Sequence, residues 1–170
     1  MPPPNSLYHL EKSRTIHKEA MKIVVYIASD HAGFSLKEHL KTFLQQKGYI
    51  VEDCGAFVMN QDDDYPDFIS IAAKSVAANP SSFGLVLGKS GAGECIVANK
   101  VNGVRAVLGF SEENVRLSRE HNDANVLAIG SQWVSEEKAK VLIELFLQTM
   151  FTNEERHKRR IEKIKQLENS

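Results

Sequence analysis

The sequence has few cysteines, almost no net charge and no long apolar run, and each shortage removes a class of function. Its 170 residues hold two cysteines, Cys54 and Cys95, neither in a CxxC pair nor at a zinc-ligand spacing. Neither a disulfide framework nor a structural metal is expected, and free thiols fit a reducing, cytoplasmic compartment. A formal net charge of −1 gives no overall attraction to nucleic acid or an anionic membrane. The longest clear apolar run, Ile23 to Ala28, falls far short of the roughly 18 residues that span a bilayer, and no secretory h-region is evident.

What is present fits one ordinary α/β domain. With 42% apolar and 25% charged residues, the chain can bury a core large enough to fold unaided. Residues 1–20 open on Pro2-Pro3-Pro4, lack apolar periodicity and are expected to form a poorly ordered extension; the domain is expected over 21–170. From Met21 onward, short apolar runs alternate with amphipathic segments. Strands are predicted at Lys22 to Ala28, Tyr49 to Asp53, Gly84 to Gly88, Val104 to Leu108 and Asn125 to Ile129. Helical stripes follow at Leu36, Leu40, Phe43 and Leu44, at Ile69, Ala72, Ala73 and Val76, and at Ala139, Leu142, Ile143 and Phe146. The pattern predicts a Rossmann-like, doubly wound, five-stranded parallel sheet with helices on both faces. An extra C-terminal helix is expected over Asn153 to Glu168, and Ser135 with Glu136 and Glu137 marks a helix start.

The most informative stretch is Gly88-Lys89-Ser90-Gly91-Ala92-Gly93-Glu94, a glycine-rich turn between a buried strand and a helix. Such a turn aims backbone N–H groups into one cleft, where they bind a negative oxygen. A carboxylate beside them, Glu94, supplies a base for proton abstraction next to a carbonyl. Nucleotide motifs fail on spacing: Walker A would need glycine at Phe83, and the dinucleotide fingerprint would need Gly or Ala at Ile96. Asp30 and His31 follow the first strand, where doubly wound sheets bind ligands, and His121 and Asn122 precede the fifth. Each has a plainer reading, as a cap, a loop residue or part of a hydrogen-bonded turn. Arg156 and Arg160, four apart on a polar helix, share a face that could grip a phosphate or simply be solvated. Cys95 is read as a small core residue rather than a nucleophile.

Together these blocks resemble the ribose-5-phosphate isomerase B family, which also includes the galactose-6-phosphate isomerase subunits. The resemblance is carried by Ser29 to Gly33, Asp64 to Phe68, Ser90 to Glu94 with Ala98 to Lys100, Arg119 to Leu127, and Arg156-His157 with Arg159 to Ile161. It implies an aldose–ketose isomerase, acting on ribose 5-phosphate and ribulose 5-phosphate, that needs no metal or cofactor. It also implies a homodimer or homotetramer whose active sites are shared between subunits. Many members carry a cysteine base where this chain has Gly88; the resemblance here is to the subgroup with a glutamate base, Glu94. By that resemblance Ser90 and the amides of Gly91 and Gly93 hold the enediolate, His121 with Asp30 assists ring opening, and Tyr65 and Asn122 touch the sugar. His31, Arg156, His157 and Arg160 would surround the phosphate, the last three reaching a neighbouring subunit's site.

Two positions depart from the family pattern. Lys89 stands for a usual glycine, and would be strained if its φ were positive. Gln132 stands for a usual phosphate-binding arginine, a loss of roughly 1.5 to 3 kcal/mol unless Lys89 compensates. The alternatives are therefore an isomerase of another sugar or six-carbon sugar phosphate, or a sugar-phosphate-binding module without chemistry.

Overall fold

A computed structural model describes residues 23–169. The extension expected over residues 1–20 lies outside the described residues. In chain order the elements are β1 (Val24–Ser29), α1 (Phe34–Gln46), β2 (Ile50–Asp53), α2 (Tyr65–Ala78), β3 (Phe83–Gly88) and α3 (Ala92–Ala98). They continue with β4 (Ala106–Leu108), α4 (Glu112–Asn122), β5 (Val126–Gly130), α5 (Glu136–Gln148) and α6 (Glu155–Leu167). All five predicted strands form, with ends displaced by one or two residues; β4 begins at Ala106 rather than Val104.

The strands make one sheet in the order β2-β1-β3-β5-β4, and every pairing is parallel. Successive side chains alternate between faces although the central strands β1, β3 and β5 read as nearly continuous apolar runs. On one face Val25, Ile27, Leu85, Leu87, Leu127 and Ile129 pack against Leu40 of α1, Val115 of α4 and Leu142, Ile143 and Phe146 of α5. On the other, Val86, Val126 and Ala128 meet Ile69, Ala72, Ala73 and Val76 of α2 and Ala98 of α3. A fully buried Leu or Ile in such a layer contributes about 1.5–3 kcal/mol. The chain leaves β1 toward β2 and leaves β3 in the opposite direction, so the crevice above the carboxyl ends of β1 and β3 is the switch point.

Helix ends follow local chemistry. Ser111 and Ser135 accept hydrogen bonds from the N–H groups of Asn114 and Lys138, capping α4 and α5. Asp123 ends α4 at φ 45°, and His121 and Asn122 occupy the last turn of that helix rather than a free turn. Arg119 fixes this end: it donates to Asp123 Oδ1 at 2.7 Å, to the Ala124 carbonyl at 2.6 Å and to the Thr149 carbonyl at 3.2 Å. Its guanidinium lies 4.9 Å from the Phe83 ring and 5.6 Å from that of Phe146. No described helix is long and apolar enough to cross a membrane.

Candidate active site

Glu94 sits in the first turn of α3 with only 4% of its surface exposed. Its carboxylate occupies the space directly over Gly88, the last residue of β3, where any Cβ would overlap it. A side chain at residue 88 and the Glu94 carboxylate in this position are thus mutually exclusive. Burial pushes the Glu94 carboxyl up from its ordinary value and the nearby Asp30 carboxylate pushes it further; the N–H groups of Glu94 and Gly91 pull the other way. No cation pairs with it among the described residues. A buried carboxylate with a raised pKa in a cleft has the properties that a general base requires.

The turn around it is built as the glycines suggest. Gly91 has φ 79° at the start of α3, and a Cβ there would come within 2.8 Å of the Gly130 nitrogen. Ser90 is exposed at the mouth, with Oγ accepting from the Ala92 N–H at 3.3 Å. Tyr65, at the start of α2, lies against Gly93, its ring carbon 2.8 Å from where a Cβ would stand. Lys89 is exposed and has no positive φ, so the strain considered for it is absent. The Gln132 N–H donates to the Lys89 carbonyl at 3.1 Å, which places the two departures from the family pattern side by side at the rim.

On the adjoining turn, Asp30 is 7% exposed and its Oδ1 accepts from the N–H groups of Ala32 at 3.0 Å and Gly33 at 3.2 Å. Its plain role as a turn cap is therefore real, and it coexists with its position beside Glu94. His31 Nδ1 lies 2.6 Å from Asp63 Oδ1, a partner the sequence reading did not single out. That hydrogen bond raises the His31 pKa above its ordinary value against a smaller opposing effect of burial, with Asp30, Asp63 and Asp62 adding to the rise.

The remaining candidates do not join this cluster within one chain. β5 enters the sheet at Val126 opposite Gly84 and leaves at Gly130 opposite Gly88. His121 and Asn122 precede Val126, so they lie at the amino-terminal edge, whereas Ser90 to Glu94 follow Gly88 at the carboxyl-terminal edge. At about 3.3 Å per residue the two edges are roughly 15–20 Å apart. His121 and Asp30 of one chain therefore lie at opposite edges of the sheet, because α4 runs antiparallel to the strands and returns its last turn to their amino-terminal end. There His121 gathers a second cluster. Its ring stacks on that of His157 with centroids 4.3 Å apart and planes 13° apart. His157 is 3% exposed, its Nε2 has no partner among the described residues, and burial, reinforced by His121 and Arg156, pushes its pKa down. Arg156 and Arg160 are exposed on α6 beside it, Arg156 pairing with Glu154 at 2.9 Å.

A family model described as Ribose/Galactose Isomerase matches residues 25–164. Ribose-5-phosphate isomerase B of Mycolicibacterium paratuberculosis is 44% identical over 144 residues, covering 85% of this chain and 91% of that protein. The enzyme of that name from Escherichia coli is 37% identical over 139 residues, covering 82% and 92%. Among solved structures, ribose-5-phosphate isomerase B of Mycoplasma genitalium with bound ribulose-5-phosphate superimposes with a TM-score of 0.85 at 38% identity, over 88% of this chain and 99% of that one. On sequence and fold alike, the chain belongs to the ribose/galactose isomerase family.

Proposed function

We propose that this protein interconverts D-ribose 5-phosphate and D-ribulose 5-phosphate, with Glu94 as the proton carrier. The observation that carries the reading is the buried Glu94 carboxylate seated over Gly88 with no cation paired to it among the described residues. Relatives named for this reaction and a structural neighbour holding ribulose-5-phosphate support the choice of substrate. In the open-chain aldose, Glu94 removes the proton from C2 and the electron pair moves to the C1 carbonyl oxygen, giving an enediolate. Glu94 returns the proton to C1, and the 2-hydroxyl proton passes to O1, so that C2 becomes the carbonyl and C1 carries the hydroxyl. Ser90 and the N–H groups of the Gly91–Gly93 turn face the developing negative oxygen, where removing one donor costs about a hundred- to a thousandfold in rate. A cytoplasmic place of action fits the two free thiols, Cys54 and Cys95.

The working unit of this proposal is a homodimer, or a tetramer built from it. Since His121, Asn122, Arg156, His157 and Arg160 sit at the edge opposite Glu94, a second copy brings its set to the first copy's Asp30, His31, Tyr65, Ser90 and Glu94. His121 of that copy then assists ring opening and the arginines take the phosphate. Mixing two inactive variants tests both claims. Refolded together, Glu94→Gln and His121→Gln chains form half hybrids, each with one intact site, and recover about a quarter of the parent rate on ribose 5-phosphate. Sites housed within one chain would recover none. Galactose 6-phosphate and free ribose run alongside measure the preference for a five-carbon phosphate.

A further inference from the structure

We propose that Asp63 is a positioning residue for His31: by accepting the Nδ1–H it fixes the rotation of the imidazole, so that in the protonated ring Nε2–H is presented to an oxygen of the bound substrate. The inference rests on the isomerase reading of the same site, but its geometry stands independently of it. Asp63 belongs to the loop between β2 and α2, where its own N–H donates to the Asn60 carbonyl at 3.2 Å and fixes it in a turn. Its side chain is only 7% exposed, whereas that of His31 is 34% exposed. One carboxylate oxygen, Oδ1, accepts both from the His31 backbone N–H at 3.1 Å and from Nδ1 at 2.6 Å. Holding the backbone and the ring of one residue with one atom fixes position and rotation together. Oδ2 is buried without a partner among the described residues, so Asp63 spends its burial on His31 alone.

The consequence lies on the other side of the ring. With Nδ1 committed, Nε2 makes no hydrogen bond among the described residues and is the atom left for a ligand. Asp30 on the β1–α1 turn and Asp62 and Asp63 on the β2–α2 loop face the ring and favour its protonated form, in which Nε2 donates. A separation of 2.6 Å is that of a strong, charge-assisted hydrogen bond and leaves no room for an ion between the two atoms.

The first experiment needs no substrate and no variant. Nitrogen-15 shifts of His31 in the ligand-free parent protein report the Nδ1–H tautomer above the titration and a proton lost at higher pH than from a solvent-exposed histidine; an Nε2–H tautomer or an unshifted titration overturns the proposal. The second uses Asp63→Asn and Asp63→Glu. Asp63→Asn lowers kcat/KM for ribose 5-phosphate about tenfold near pH 8 and less than about twofold near pH 6, mostly through KM, and Asp63→Glu restores much of the loss. The ratio of variant to parent removes the titrations of Glu94 and of the substrate phosphate. A loss equal at both pH values marks a structural role, and no loss at either removes the role; both contradict the proposal. If the parent lacks isomerase activity while the His31 shifts behave as stated, the pair stands and the substrate reading fails.

Discussion

Two carboxyl groups at the carboxyl ends of β2 and β3, the strands on either side of β1, sit in opposite electrostatic surroundings. Asp53 ends β2 and is met by Lys37 Nζ at 2.8 Å, by Lys41 Nζ at 2.7 Å and by the Gly55 N–H at 2.9 Å. Burial alone would push Asp53 up, but those hydrogen bonds outweigh it and hold its pKa below the ordinary value. Lys37, fully buried, finds its charge balanced there. Glu94, over the end of β3, has burial and a like-charged Asp30 acting together and no cation among the described residues to offset them. The first arrangement closes a structure, and the second suits the proton carrier proposed above. On that proposal, what separates a structural carboxylate from a catalytic one in this fold is whether its charge is answered.

The sharpest break of that contrast is Glu94→Gln. It should lower kcat/KM by about a thousandfold or more, while the unfolding midpoint stays equal or rises because no ion pair is lost. Gly88→Ala attacks the same group without touching it: the added methyl displaces the carboxylate, with an expected fall of about a hundredfold in kcat and a stability loss of about 1–3 kcal/mol by urea titration. Lys37→Met should do the converse, removing about 3 kcal/mol of stability by leaving Asp53 short of a partner while the folded enzyme keeps its kcat. The sign in pH follows from the lowered Asp53 pKa: its contribution is present above the unfolded-state value and is lost as pH falls through the folded value, so Lys37→Met flattens the acid side of the stability curve. The smallest effect is a shift in a profile. Because Glu94 must be ionised and its pKa is raised, kcat/KM in the parent falls on the acid side at a pH above the ordinary carboxylate range, and Asp30→Asn moves that limb downward.

The sheet was legible because β1, β3, β4 and β5 are largely apolar runs ended by glycine or a polar turn, and the turn from Gly88 to Glu94 carried its chemistry in plain view. α4 was harder to see, since only Val115 and Arg119 are buried along it and one of those is charged. Arg119 stood in a quoted block with no role; its burial against Phe83 and Phe146 is a tertiary fact that local patterning does not carry. Lys37 looked like a polar position on α1 and is fully buried, for the same reason. Asp63 was hidden within the acidic run Asp62-Asp63-Asp64, which reads as solvated surface until the loop folds one of the three against His31. The placement of His121 depends on strand order and helix direction, so proximity in a motif reading gave no sign that it belongs at the far edge.

The most direct test of the account is hydrogen exchange in deuterated water with ribose 5-phosphate. The parent protein should place solvent deuterium on the carbon that receives the migrating proton, and Glu94→Gln should place none while still binding ribulose 5-phosphate. Incorporation by Glu94→Gln at the parent rate would contradict it.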